Sequence, residues 1–280
     1  MSIYSIVKPK SNFSAFQELI QLLTRHRELA FEMAVREIKD RYAGQYLGLF
    51  WTFGHPLIIM GVYIVIFGVV FKARVGDTVD VPLGYTVYLL SGLIPWLAMA
   101  DLMGKSGSVV EANANLVKQV IFPIEVLPVK SVLASLLTEA IFLVLLTVYI
   151  LVTHGLPSRI YLLLPLLIVL QSFAMIGIGY ILSAVGVFFR DIKDFVQVFT
   201  TVGVYLMPTF FLPSVVPDIL RPLFYINPFS YMVWCFQDVL FFGRFEHPWA
   251  WGVFFCLSLF TFVFGYRVFR RLKDWFANVL

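Results

Sequence analysis

The long stretches without a formal charge decide what this chain can become. A helix crossing about 30 Å of hydrocarbon needs about 20 apolar residues. Six gaps between charges are that long: Arg41 to Lys72, Asp80 to Asp101, Lys130 to Arg159, Arg159 to Arg190, Asp194 to Asp218 and Glu246 to Arg267. Only Glu139 interrupts one of them. The predicted span cores are 52–71, 83–100, 132–152, 162–187, 196–213 and 249–266. A seventh gap, Arg221 to Asp238, is shorter and carries Pro222 and Pro228. It reads as re-entrant or interfacial rather than spanning. With 60% hydrophobic and 14% charged residues over 280 positions, too little polar surface remains for a water-soluble fold. The fold class is therefore all-α integral membrane with six transmembrane helices.

An even number of spans puts both ends on one side. If that side is cytoplasmic, its segments collect 16 of the 21 Lys and Arg residues, and the outer loops keep only Lys72, Arg74, Arg159, Arg221 and Arg244. This bias fixes the orientation, with both termini inside. The basic excess is scattered and forms no nucleic-acid face. The first 50 residues lack the basic, apolar, small-residue order of a secretory leader, so insertion through the spans themselves is expected.

Four further segments flank this 51–266 membrane region or lie within it. In the cytoplasmic region 1–50, residues 13–42 carry an apolar stripe of Phe16, Leu19, Ile20 and Leu23, then another of Phe31, Val35, Ile38 and Tyr42. Arg25, His26 and Arg27 separate them. Such a helix fits the headgroup plane or a partner protein. The cytoplasmic connection 101–131 has a helical centre predicted over Val109–Val120, bracketed by Gly107 and Pro123, which suits a protruding helix on which something docks. Pro123 and Pro128 then make a rigid elbow before the third span. The outer segment 214–247 is too aromatic for a solvated loop. Asn227-Pro228 should start a helix there, as N-cap followed by Pro at the first position. Two short helices dipping into the outer leaflet are expected. The tail 267–280 returns to the cytoplasm.

Candidate chemistry is sparse. Gly104-Lys105-Ser106 lacks the first glycine of a phosphate loop, because Met99 stands there, so no ATP site is expected on this chain. His26, His55, His154 and His247 fall in four segments without metal-ligand spacing, so no metal is expected. Cys235 and Cys256 read as apolar thiols. Glu139 must protonate, pair or face water, and it fits either a packing residue or the lining of a polar path. Asp218, Asp238, Glu246 and His247 could serve an outer acid-base site or simply cap helices and solvate loops. Gly177, Gly179, Ser183, Ala184 and Gly186 form a small-residue face for close helix approach, within one chain or between two.

Several local runs resemble the polysaccharide-export branch of the ABC-2 type permease family. They are Arg41-Tyr42 through Leu47-Gly48-Leu49-Phe50-Trp51 to Pro56, and Phe122-Pro123-Ile124-Glu125-Val126-Leu127-Pro128. Phe188-Phe189-Arg190-Asp191-Ile192-Lys193-Asp194 and Asn227-Pro228-Phe229 complete the set. The balance is most similar to the O-antigen and teichoic-acid permeases. The resemblance implies a non-catalytic subunit of a bacterial inner (plasma) membrane transporter. It implies a homodimer of six-span chains, two separate ABC ATPase subunits that bind ATP and Mg, and a continuous channel for a polyprenyl-linked glycan. It names an N-terminal interface helix, a coupling helix and outer gate helices. Coupling to the ATPase is then expected at Val109, Glu111, Asn113, Asn115, Lys118, Arg190 and Asp191. Tyr205, Tyr225, Tyr231, Trp234 and Glu139 are expected along the substrate path, the aromatics offering apolar faces to sugar rings or anchoring at the interface. Two rival readings stand: an ABC-2 exporter of drugs or lipids, and a membrane-embedded glycan-modifying enzyme.

Overall fold

The charge-poor stretches are helical in the computed structural model, which describes residues 9–70, 83–118, 122–211, 216–219 and 221–279. The first outer loop at 71–82, the end of the expected coupling helix at 119–120 and the start of the outer segment at 214–215 lie outside these residues. No strand occurs among the described residues. The α-helices run in the order α1 (Pro9–Arg25), α2 (Arg27–Arg41), α3 (Trp51–Tyr63), α4 (Tyr85–Ser106), α5 (Ala114–Val117) and α6 (Val126–His154). They continue with α7 (Leu164–Phe188), α8 (Ile192–Gly203), α9 (Arg221–Ile226), α10 (Pro228–Gln237), α11 (Pro248–Leu272) and α12 (Phe276–Val279).

Four of the described helices are long and apolar enough to cross a membrane: α4, α6, α7 with its leading turn Arg159–Leu163, and α11 with its trailing turn Lys273–Trp275. These match four of the six expected spans. The first expected span is helical from Trp51, as α3 and then a π-helix over Ile64–Val70, up to the point where the described residues end. The fifth stops early. After α8 and a single tight turn over Val204–Leu206, Met207 is extended at φ −130° and ψ 158°. The cause is Pro208, whose ring pushes the residue before it out of the helical region.

Buried extended backbone, such as that around Met207 and Thr209, must find protein partners for its carbonyls. Tyr88 and Gln237 both donate to the Pro208 carbonyl, at 2.8 and 2.7 Å, and Tyr85 donates to that of Phe210 at 2.7 Å. Asn227 Nδ2 donates to the Leu206 carbonyl at 3.0 Å. The break after α8 is thus fastened to α4 and α10.

The small residues of α7 resolve into packing within one chain. A Cβ on Gly177 would stand 2.1 Å from the Thr261 carbonyl oxygen, and one on Gly265 would stand 2.1 Å from that of Gly177, so α7 and α11 touch backbone to backbone. Lower down, a Cβ on Gly186 would lie 2.0 Å from the Gly107 oxygen at the end of α4.

The amphipathic N-terminal segment is two helices rather than one, broken at His26 (φ −107°, ψ 18°). α1 packs on the end of α11 and α2 along α6. Leu19, Ala30 and Ala34 are buried by these contacts. Glu18 pairs with Arg270, which brings the N-terminal helix and the end of the last long helix to the same end of the bundle.

Candidate functional site

At that shared end the structure gathers charges that the sequence scatters. Glu37 of α2 lies 3.5 Å from Lys105 and 3.6 Å from Lys130, and it accepts a hydrogen bond from Ser131 at 3.2 Å. Asp101 pairs with Lys105 and, at 3.4 Å, with Arg41, and it accepts from Ser135 at 2.7 Å. The side chains of Lys130 and Glu37 are 13% and 19% exposed, so solvent screens this network less than it screens surface pairs. The effect is to lock α2 onto α4 and α6. Sequence reasoning used Asp101 and Lys130 only as span boundaries. The Asp101/Lys105 spacing of four was the one visible hint of the network.

The connection after α4 is an interrupted run of turns rather than the single helix expected over Val109–Val120, of which 119–120 lie outside the described residues. It has a tight turn at Glu111–Asn113 and one turn of α5, while Val109, Val110 and Val117 are buried beneath. Three buried valines hold the loop against the bundle. Asn113 Nδ2 donates to the Val109 carbonyl at 2.7 Å, a side-chain bond that competes with a continuous helix. Of the expected coupling residues, Asn115 and Lys118 are exposed, as are Arg190 and Asp191 after α7. Glu111 joins the two groups, with Arg190 at 3.7 Å and Lys193 at 3.2 Å. The loop and the α7–α8 turn therefore form one continuous surface. Behind it, the Glu125 carboxylate in the proline elbow takes Lys273 of the tail at 2.6 Å, and the Tyr180 hydroxyl donates to the Glu125 carbonyl at 3.1 Å. Pro128 falls in the first turn of α6, where a missing N–H costs nothing.

At the opposite end, α10 begins as the Asn227-Pro228 pair predicts: Asn227 Oδ1 accepts from the Phe229 N–H at 3.0 Å, with Pro228 at the first position. The helix and the π-helical turn Asp238–Phe242 after it are almost wholly buried against α4 and α11. Trp234 is the centre of an aromatic cluster, with Tyr225, Tyr231, Trp249 and His247 at ring distances of 5.2, 5.6, 4.8 and 5.5 Å. Three of the five expected path residues thus meet, Trp234 beneath and Tyr225 exposed. Trp249, the rim residue that completes the cluster, was not singled out, although it follows the helix-starting Pro248. Tyr205 lies apart, exposed and stacked 5.3 Å from Phe210. Glu139 lies apart too, buried among α4, α6 and α7. Its Oε2 accepts from Gln171 Nε2 at 3.0 Å, and that same amide nitrogen lies 3.1 Å from the Pro95 carbonyl.

The outer acids are all engaged. Asp218 pairs with Arg221 and Glu246 with Arg244, each at 2.8 Å. Asp238 is fully buried and accepts from the His247 N–H at 3.1 Å and from Trp251 Nε1 at 3.0 Å, with His247 Nδ1 at 2.9 Å. This carboxylate fastens the start of α11 to the end of α10.

The ABC-2 type transporter family matches residues 28–241, a range that runs from α2 through the buried turn after α10. The O-antigen export system permease protein RfbA of Klebsiella pneumoniae is 26% identical over 275 residues, covering 98% of this chain and 99% of that one. The protein of the same name from Myxococcus xanthus is 28% identical over 71% of this chain and 74% of its own length. The polysialic acid transport protein KpsM of Escherichia coli is 28% identical over 71% and 73%. With the family matched over most of its length and four apolar helices long enough to span, the chain is a multi-pass membrane protein of the ABC-2 type transporter family.

Proposed function

We infer that the chain is the membrane permease subunit of an ABC exporter that carries a lipid-linked polysaccharide, of O-antigen or teichoic-acid type, across the bacterial inner (plasma) membrane. The observation that carries this reading is the end-to-end similarity to a permease named for O-antigen export. The relatives named above are O-antigen and polysialic acid transporters, which favours a polysaccharide over a drug or lipid cargo. The match to a transporter family and to permease-named relatives argues against a glycan-modifying enzyme.

In this reading α3 and α8 complete six spans and both termini face the cytoplasm. Two copies pair across α3 and α8, whose outward faces carry Phe53, Leu57, Ile58 and Val62 on one and Phe195, Val198 and Val202 on the other, all exposed in the single chain. Two ATPase subunits hold ATP and Mg and dock on the surface made by Glu111, Asn115, Lys118, Arg190 and Asp191, with Val109 and Asn113 setting the loop beneath. ATP shifts the permease between states through the partner's different affinity for each. The elbow at Pro123 and Pro128 passes that movement to the spans. Tyr225 and Tyr231, backed by Trp234, and Tyr205 present aromatic faces to sugar rings at the exit, a contact of low specificity that lets a polymer slide. Glu139 lies off that exit, and its place on the path rests on its polarity alone.

The test is the sidedness of newly made glycan in cells lacking the chain. Retention of polyprenyl-linked polymer on the cytoplasmic side supports the reading. Normal surface polymer together with retention of a small drug or a lipid overturns it.

A further inference from the structure

Where α1 gives way to α2, an open groove of about 520 Å³ separates the N-terminal helices from the spans. Its walls are Leu23, Ala30 and Phe31 on one side and Val129 and Leu133 of α6 with Ile176 of α7 on the other. The volume is within the ~300–1,000 Å³ range of small-ligand sites. Only two polar residues line it, Arg27 and Glu28, adjacent at the start of α2. Both are exposed. Among the described residues neither makes an ion pair, although twelve such pairs occur elsewhere and Glu37 and Asp40 of the same helix are engaged.

The groove also continues in one direction. Leu133 is the foot of a stripe on α6 that runs through Leu137, Ala140, Val144, Val148 and Leu151, spaced by three and four residues and exposed above Leu133. That stripe rises about 27 Å, close to the thickness of the hydrocarbon core, so it is a lipid-facing wall. The occupant must therefore have an apolar tail that lies along α6 and a head that meets one cation and one anion side by side at the membrane surface. A purely anionic head would leave Glu28 opposed by like charge, and a protein segment would not follow a lipid-facing stripe.

We propose that this groove is a binding site for one zwitterionic aminophospholipid per chain, with the phosphate on Arg27, the primary ammonium on Glu28 and an acyl chain against Val129, Leu133 and Ile176. The site is independent of the exported cargo. It pins α2 at the inner leaflet beside the charge lock formed by Glu37, Lys105 and Lys130.

The test uses the full chain, released from nanodiscs holding equal fractions of phosphatidylethanolamine, phosphatidylglycerol and phosphatidylcholine, with retained lipid read by native mass spectrometry. One phosphatidylethanolamine per chain is expected, favoured over the other two by about 2- to 5-fold, the discrimination an exposed charge pair supplies. Glu28→Gln should level phosphatidylethanolamine with phosphatidylcholine, and Arg27→Gln should lower retention of all three. Both residues are exposed, so folding is not at stake. Leu133→Trp should fill the groove and release the lipid. Retention of no lipid, preference for phosphatidylglycerol, an unchanged ratio in Glu28→Gln, or a polyprenyl phosphate or peptide held in the groove instead each overturns the proposal.

Discussion

Lys193 Nζ lies 3.2 Å from Glu111 Oε2, which ties the turn after α7 to the loop after α4. Neither residue is near the other in sequence, yet the bond makes one surface of two separate connections. Arg190 strengthens it from the same side.

Reversing that charge should uncouple the surface. Glu111→Lys places a cation beside Arg190 and Lys193, so ATP-driven export should fall several-fold while the chain still inserts. Because the pair is partly exposed, the stability cost stays within about 1 kcal/mol. Adding Lys193→Glu should restore most of the export. Export that is unchanged in Glu111→Lys, measured as surface glycan per cell, contradicts a role for this contact.

The α7–α11 contact is a backbone contact, so it should tolerate no side chain. Gly177→Val and Gly265→Val should each destabilise the bundle by about 3 kcal/mol or more, the upper end of overpacking costs, because the clash is with main chain that cannot rotate away. The readout is Tm in detergent together with the amount of folded chain in the membrane. Gly252→Val, on the same helix where a Cβ meets nothing within 4 Å, serves as the control and should be near neutral.

Much of this arrangement was legible in the residues. Charge-free gaps mark α4, α6, α7 and α11 because lipid penalises charge over a whole span, a signal that survives any packing. Asn227-Pro228 marks the start of α10 because capping is local. What escaped detection is long-range. The burial of Val109, Val110 and Val117 in the loop depends on what lies beneath them. Pro208 ends the helix locally, but the extended backbone after it holds only because Tyr85, Tyr88 and Gln237 arrive to satisfy its carbonyls. The engagement of Asp238 likewise needs His247 and Trp251 brought back by a turn. Apart from the spacing of four between Asp101 and Lys105, nothing local shows that these two converge with Glu37 and Lys130.

Asp238 should matter more for stability than for transport chemistry. Asp238→Ala leaves the His247 N–H and the Trp251 indole N–H without their acceptor in a buried setting, at about 1–3 kcal/mol each. Asp238→Asn keeps one acceptor oxygen and should cost less. Thermal unfolding of the two variants should therefore rank wild type above Asp238→Asn above Asp238→Ala. Full stability in Asp238→Ala with lost activity would point instead to an acid-base role.

The pairing of Glu18 with Arg270 predicts that both ends of the chain share one side of the membrane. In a Cys235→Ala, Cys256→Ala background, cysteines placed at Ser2 and at Val279 should resist a membrane-impermeant maleimide in intact spheroplasts. Both should label in inside-out vesicles. Labelling of either in intact spheroplasts contradicts the orientation drawn from the Lys and Arg distribution.

The central claim is that this chain is a conduit with no motor of its own. Proteoliposomes holding the purified chain, with and without its ATPase subunit, and loaded with polyprenyl-linked glycan test it most directly. The account predicts ATP hydrolysis and glycan movement only when both proteins are present; either activity from this chain alone would contradict it.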